Sequence, residues 1–167
     1  MSKVKIDFGY KNNTVILENV ISNELITTKR LEFPENWKLE IPKINLDAKI
    51  VEGTTDEILN KYIGHFEETG VLNGNVALAA HNRGYDVNYF ERLKELNIED
   101  TVYYTYGNVK KEYIVFSKEI IKDTNVDVLD DFQNGKNILT LITCVEDMPE
   151  LRRCIRCIET NKDTKKD

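Results

Sequence analysis

The chain has 167 residues, a length that fits one domain of roughly 100–200 residues with a core of its own. Hydrophobic residues make up 41% and charged residues 31%, which excludes a disordered chain. The net charge of −6, from 23 basic and 29 acidic residues, excludes the broad positive surface of a nucleic-acid binder.

Residues 1–33 read as an appendage of short strands and polar turns, with alternation over residues 4–8 and a turn at Asn12-Asn13. A soft boundary follows at Phe33-Pro34-Glu35-Asn36. Alternation predicts a strand at Trp37-Lys38-Leu39-Glu40-Ile41 and another at Ala48-Lys49-Ile50-Val51. Thr54 and Glu57 form a capping box that predicts a short helix through about Tyr62, ended by Gly64. After the Asn73-Gly74 turn, the apolar run 75–80 suits a buried strand and leads straight into His81. Asp86 can cap a second helix carrying Phe90, Leu93 and Leu96 on one face. Runs 101–106 and 111–116 flank Gly107-Asn108 as a hairpin. Residues 117–136 read as a long polar connection. The run 137–143 is another buried-type strand, leading into Cys144, and a last strand covers 152–158 before a charged tail at 161–167. Seven or eight strands with two short helices make the chain mainly β, in a barrel or sandwich spanning residues 34–160.

No apolar run approaches the roughly 20 residues needed to cross a bilayer, and residues 1–7 lack the apolar segment of a secretory signal. Three cysteines, Cys144, Cys154 and Cys157, are too few and odd in number for a disulfide framework. Cys144 and His81 each stand at the end of a buried-type strand, and such a pair can act as nucleophile and general acid in acyl transfer. Spacing alone is equally compatible with a hydrogen-bonded structural histidine and a small buried thiol.

Local context is more specific. Leu141-Ile142-Thr143-Cys144 resembles the Leu-x-Thr-Cys signature of sortases, the cysteine transpeptidases of bacterial cell surfaces. Ala79-Ala80-His81-Asn82-Arg83 is similar to their catalytic-histidine segment, with Ala80 in place of the usual glycine. Gly64-His65 and Asn73-Gly74-Asn75 resemble the stretch that precedes it, with Asn73 where many sortases have proline. Ile41-Pro42-Lys43-Ile44 is similar to the first core strand. The resemblance covers about residues 37–160 and implies a closed or nearly closed sortase-type β-barrel.

It also implies a third group, an arginine on the strand after the cysteine that stabilises the oxyanion or positions the substrate. The candidates are Arg152, Arg153 and Arg156. If Arg153 points into the site, Ile155 and Cys157 point inward with it, while Cys154 and Arg156 face out. Arg152 in the site would bring Arg156 to the same face and crowd a second charge into the barrel floor. Arg153 is therefore preferred, and Arg156 is read as solvated. The expected catalytic set is Cys144, His81 and Arg153.

The resemblance implies cleavage of a Leu-Pro-x-Thr-Gly-type sorting signal through a thioester on Cys144. An amine from a peptidoglycan precursor or a pilin lysine resolves it, with no metal or organic cofactor. The implied partners are the sorting peptide of a surface protein and that amine, with no nucleic acid and with membrane contact only through an anchor absent from this chain. The implied location is the outer face of the bacterial membrane or the cell wall. With ordinary pKa values near 8.5 and 6.5, the thiolate–imidazolium pair makes up under about 1% of molecules at pH 7, and a bell-shaped pH profile follows. Alternatives are a sortase-like peptide-binding domain with weak or no turnover, a simple cysteine peptidase, and a redox or zinc module on Cys154 and Cys157. His65 reads as structural, and the acidic stretch 123–131 as a solvated loop rather than a cation site.

Overall fold

The computed structural model describes residues 6, 32–130 and 135–161. The strand readings over 4–8 and the charged tail lie outside these residues, apart from Ile6 and Asn161. Eight strands are present: β1 (Trp37–Ile41), β2 (Leu46–Glu52), β3 (Ile63–His65), β4 (Asn75–Ala79), β5 (Thr101–Tyr106), β6 (Val109–Lys122), β7 (Ile138–Val145) and β8 (Met148–Glu159). They close into a barrel in the order β1-β2-β3-β4-β7-β8-β6-β5, with β5 returning to pair with β1. Two neighbour pairs, β2 with β3 and β4 with β7, are parallel, and the others are antiparallel.

Alternation along these strands divides their side chains between two apolar clusters. Trp37, Leu39 and Ile41 of β1, Val76 and Leu78 of β4, Leu139 and Leu141 of β7, and Ile155 and Cys157 of β8 fill the barrel. Their neighbours in sequence, Ala77, Ala79, Ile142 and Cys154, lie on the outer face with Leu59, Phe66, Ile121 and Val128. Period two therefore makes one strand serve two surfaces. Inside the barrel, the indole N–H of Trp37 donates to the Tyr104 hydroxyl at 2.9 Å, and that hydroxyl donates to the Val71 carbonyl at 2.5 Å. The chain of donors satisfies polar groups that burial would otherwise penalise.

His65, fully buried on β3, is held from both ring nitrogens. Nδ1 meets Glu52 Oε1 at 2.8 Å, and Nε2 meets the Gly70 carbonyl at 2.7 Å and Thr69 Oγ1 at 3.1 Å. It is a structural histidine tying β2 to the turn before β4. A Cβ on the preceding residue, Gly64, would run into the Gly53 carbonyl, so the close β2–β3 approach requires glycine there.

Several elements differ from the sequence expectations. The first helix, α1 (Asp56–Leu59), is capped by Thr55 rather than Thr54 and ends before Tyr62. The second is replaced by turns and a 3-10 segment at Leu93–Glu95. Phe90, Leu93 and Leu96 are still fully buried against the barrel core, so the apolar spacing reported burial rather than helix. Strand β6 continues through Lys122, well into the expected connection. Its polar second half is held by ladder pairing with Leu151 to Arg156 of β8, and most of it is exposed. A 3-10 turn at Val126–Leu129 then folds back over the outer face. There the Asn75 amide donates to the Val128 and Asp130 carbonyls at 2.8 and 3.1 Å.

Candidate active site

Backbone register brings the two reactive strand ends together. Parallel pairing of β4 with β7 matches Asn75 with Ile138 and runs through to Ala79 with Ile142. Continued two residues further, the same register sets His81 level with Cys144. Two hydrogen bonds stitch this extension. Thr143 Oγ1 donates to the Ala80 carbonyl at 2.7 Å, and the Asn82 amide donates to the Cys144 carbonyl at 2.7 Å. On the other side of β7, Cys144 pairs directly with Arg152 of β8. A sharp turn at Glu146 and Asp147, with Asp147 at φ 61, joins these two strands, in keeping with the short interval in the sequence.

Cys144, His81 and Arg152 line one cavity of about 470 Å³, walled also by Asp56, Tyr85 and Met148. Cys144 packs against the outer cluster of Ala79, Ile142 and Cys154, which sets this cavity on the outer face of the barrel. Arg153 is not among the lining residues. Alternation does set it with Ile155 and Cys157, as expected, but that is the inward set and the site faces outward. The arginine that lines the cavity with Cys144 and His81 is Arg152, the alternative to the preferred Arg153. Arg156 shares the face of Arg152, outside the barrel rather than on its floor, with its guanidinium 5.8 Å from the Phe116 ring centroid. It is half-buried rather than solvated as expected, and its Nε and Nη2 are buried without a hydrogen-bond partner among the described residues.

Arg152 is 8% exposed, and its guanidinium is anchored by its own strand and by Ile6. Nη1 donates to the carbonyls of Pro149 and Leu151 at 2.7 and 2.8 Å, and Nη2 donates to the carbonyl of Ile6 at 3.3 Å. Burial raises the Cys144 thiol above its ordinary value, and the charge of Arg152 opposes that rise. Burial lowers His81, with Asp56 acting in the opposite direction. Both shifts favour the uncharged thiol and imidazole over the thiolate–imidazolium pair. Nε2 of His81 is buried with no hydrogen-bond partner, and the ring lies flat against Tyr85, centroids 3.5 Å apart and planes 6° apart.

A cysteine, an imidazole and a guanidinium in one solvent-open cavity are the kinds of groups that thiol acyl transfer uses. The sortase-domain family model matches residues 39–158, most of the chain. The chain belongs to the sortase family. It is 34% identical to sortase A of Staphylococcus aureus (strain NCTC 8325 / PS 47) over 109 residues, covering 64% of this chain and 53% of that protein. Against sortase D of Bacillus subtilis (strain 168) it is 35% identical over 112 residues, covering 64% and 52%. The chain thus spans about half the length of these curated relatives. Among solved structures, sortase C-1 of Streptococcus pneumoniae superposes with a TM-score of 0.72 at 26% identity, covering 84% of this chain and 77% of that one. Sortase A of Corynebacterium diphtheriae shares the fold at a TM-score of 0.73 and 22% identity, covering 82% and 66%.

The other two thiols do not line this cavity. Cys154 and Cys157 are fully buried on opposite faces of β8, and burial raises Cys154 to about 12 and Cys157 further. Their opposed directions explain why a Cys-x-x-Cys spacing on a strand does not make a pair. Tyr85, Asp56 and the Asn75–Thr140 hydrogen bond (2.7 Å) escaped the sequence reading. Tyr85 sits in a loop with no periodicity to flag it. No helix among the described residues is long and apolar enough to cross a membrane.

Proposed function

We propose that this chain is a cysteine transpeptidase acting on sorting peptides of the Leu-Pro-x-Thr-Gly kind, at the outer face of a bacterial membrane or in the cell wall. The observation that carries the reading is the shared cavity of Cys144, His81 and Arg152 on a sortase barrel. The Cys144 thiol passes its proton to His81 and attacks the carbonyl carbon of the motif's threonine. Arg152 donates hydrogen bonds to the oxygen as it gains charge. His81 returns the proton to the departing glycine amine as the C–N bond breaks and a thioester forms. An incoming amine, from a peptidoglycan precursor or a pilin lysine, then gives a proton to His81 and attacks the thioester. Cys144 leaves as the thiolate and is reprotonated by His81. The roles of nucleophile and general acid are those expected from the sequence. The guanidinium role passes from Arg153 to Arg152 because Arg152 lines the cavity. No cofactor enters these steps.

Ile6 supports the peptide reading. Its side chain is buried in the outer apolar cluster, its amide donates to the Asp123 carbonyl and its carbonyl accepts from Arg152. An aliphatic residue seated there with its main chain against Arg152 makes contacts of the kind a bound peptide would make. A donor peptide taking the same contacts would displace Ile6.

Mass spectrometry of the chain mixed with a small library of sorting peptides and an amine tests the reading. The expected result is a thioester adduct on Cys144 that the amine converts to an amide product, absent from Cys144→Ala. Hydrolysed peptide with no amide product, or binding without any adduct, would overturn it.

A further inference from the structure

The loop from His81 to Phe90 is tied at both ends and bent back on itself. The Phe90 amide donates to the His81 carbonyl at 3.0 Å, and Phe90 is plugged into the barrel core. Gly84, at φ +81 with open space around it, permits the reversal. Asn88 then clamps Tyr85 from both sides. Its Oδ1 accepts from the Tyr85 amide at 3.3 Å, and its Nδ2 donates to the Tyr85 carbonyl at 2.8 Å. The result is a tyrosine whose backbone is fixed and whose ring lies parallel to the imidazole at 3.5 Å. Tyr85 itself is 52% exposed while His81 is 4% exposed, so the tyrosine is the cover and the histidine is what it covers.

A histidine that shuttles protons is commonly aimed by a hydrogen bond from its second nitrogen. Here Nε2 is buried and unpartnered among the described residues, so no such bond orients the ring from that side. We infer that Tyr85 is the positioning residue of His81, its ring fixing the plane of the imidazole against Cys144 and keeping water from one face. The stack persists through the proton cycle, because an aromatic face attracts a cation as well as an apolar ring. The cover also contributes to the burial that holds His81 below its ordinary range. The charged and titratable groups around that ring are Cys144 of β7, Arg152 of β8, Asp56 of α1, and Glu146 and Asp147 of the β7–β8 turn. Arg83, from the histidine's own loop, is engaged with Asp147 at 2.5 Å. The inference rests on the transpeptidase reading only for its kinetic part.

The test compares the full chain with Tyr85→Phe and Tyr85→Ala. The protein has only 2 histidines, so imidazole NMR resolves both, and buried His65 serves as the internal reference. In Tyr85→Ala the His81 Cε1–H resonance is expected to move downfield as the ring current is lost. Its titration midpoint should rise, because loss of cover relieves the desolvation that lowers it. Tyr85→Phe should keep both at wild-type positions. With sorting peptide, kcat in Tyr85→Ala should fall about tenfold at unchanged KM, within the range general acid–base catalysis supplies. Tyr85→Phe should stay within about twofold. Alkylation of Cys144 by iodoacetamide gives the same comparison without a substrate: its acid limb should move up with His81 in Tyr85→Ala only. If no peptide is turned over, the NMR and alkylation arms still decide the positioning claim. An unmoved resonance and midpoint in Tyr85→Ala would overturn it, as would a shifted resonance with unchanged alkylation profile and kcat.

Discussion

The inside of the barrel and the outer face of β4, β7 and β8 are made from the same strands, yet they are built to different ends. Inside, large side chains such as Trp37, Leu39, Leu78 and Leu141 fill the space completely. Outside, the same strands present smaller groups, Ala77, Ala79, Thr140 and Cys154, beneath a partial cover from the 126–129 turn and Ile6. The outer cluster ends at Cys144, which packs against it and lines the cavity shared with His81 and Arg152. One face of these strands closes the barrel, and the other carries the candidate site at its end.

Substitutions should separate the two faces cleanly. The largest effect on activity is expected from Cys144→Ala, which removes the nucleophile. Turnover should drop on the order of 10³-fold or more with little change in melting temperature. Next is the arginine pair. Arg152→Ala should lower kcat on the order of 10²-fold, the usual loss for an oxyanion donor, while Arg153→Ala should stay within about threefold. The reverse ranking in steady-state kinetics would mean that the site reads the inward face after all.

On the inner side, Leu141→Ala should cost about 2–5 kcal/mol of stability, as a cavity left in a close-packed core does. Denaturant titration measures that cost, and the fraction still folded should keep its kcat. A smaller effect concerns pH. With His81 lowered and Cys144 raised by burial, kcat/KM should be bell-shaped. Its acid limb should lie below the ordinary histidine value and its alkaline limb above the ordinary cysteine value. Because Arg152 opposes the rise in Cys144, Arg152→Ala should move the alkaline limb further up. The smallest change is expected from Ile6→Asp. Burying one isoleucine side chain is worth about 1.5–3 kcal/mol before the entropy of ordering it. Freeing the groove should therefore raise kcat/KM a fewfold, and a fall would show that Ile6 shapes the groove rather than filling it.

Much of the barrel was legible in the sequence because strands announce themselves by period. β1 and β5 matched residue for residue, and the hairpin at Gly107-Asn108 pairs Tyr106 with Val109 as its two-residue turn requires. The second half of β6 was not legible. Ser117 to Lys122 is polar and mostly exposed, and only its partner strand makes it a strand. The site was half legible. His81 and Cys144 could be named from the motifs around them, and the parallel register that brings them level depends on strand order, which no local pattern contains. Arg152 was weighed and set aside on an alternation that holds, because the site was expected inside the barrel whereas the cavity lined by Cys144 and Arg152 lies on the outer face. The run 138–145 shows why: Leu139 and Leu141 face in, Ile142 and Cys144 face out, and an apolar run buried on both faces hides which is which.

Joining β5 to β1 leaves the barrel without an outermost strand among the described residues. Proteins that capture extended peptides often do so by letting the guest continue a sheet, a mode that reads main chain and is lenient about sequence. Here the ring is closed along most of its length, but the second half of β6, residues 117–122, has ladder partners on β8 alone among the described residues. That half strand carries Lys118, Glu119 and Lys122, charges of the kind that discourage edge-to-edge pairing with another chain.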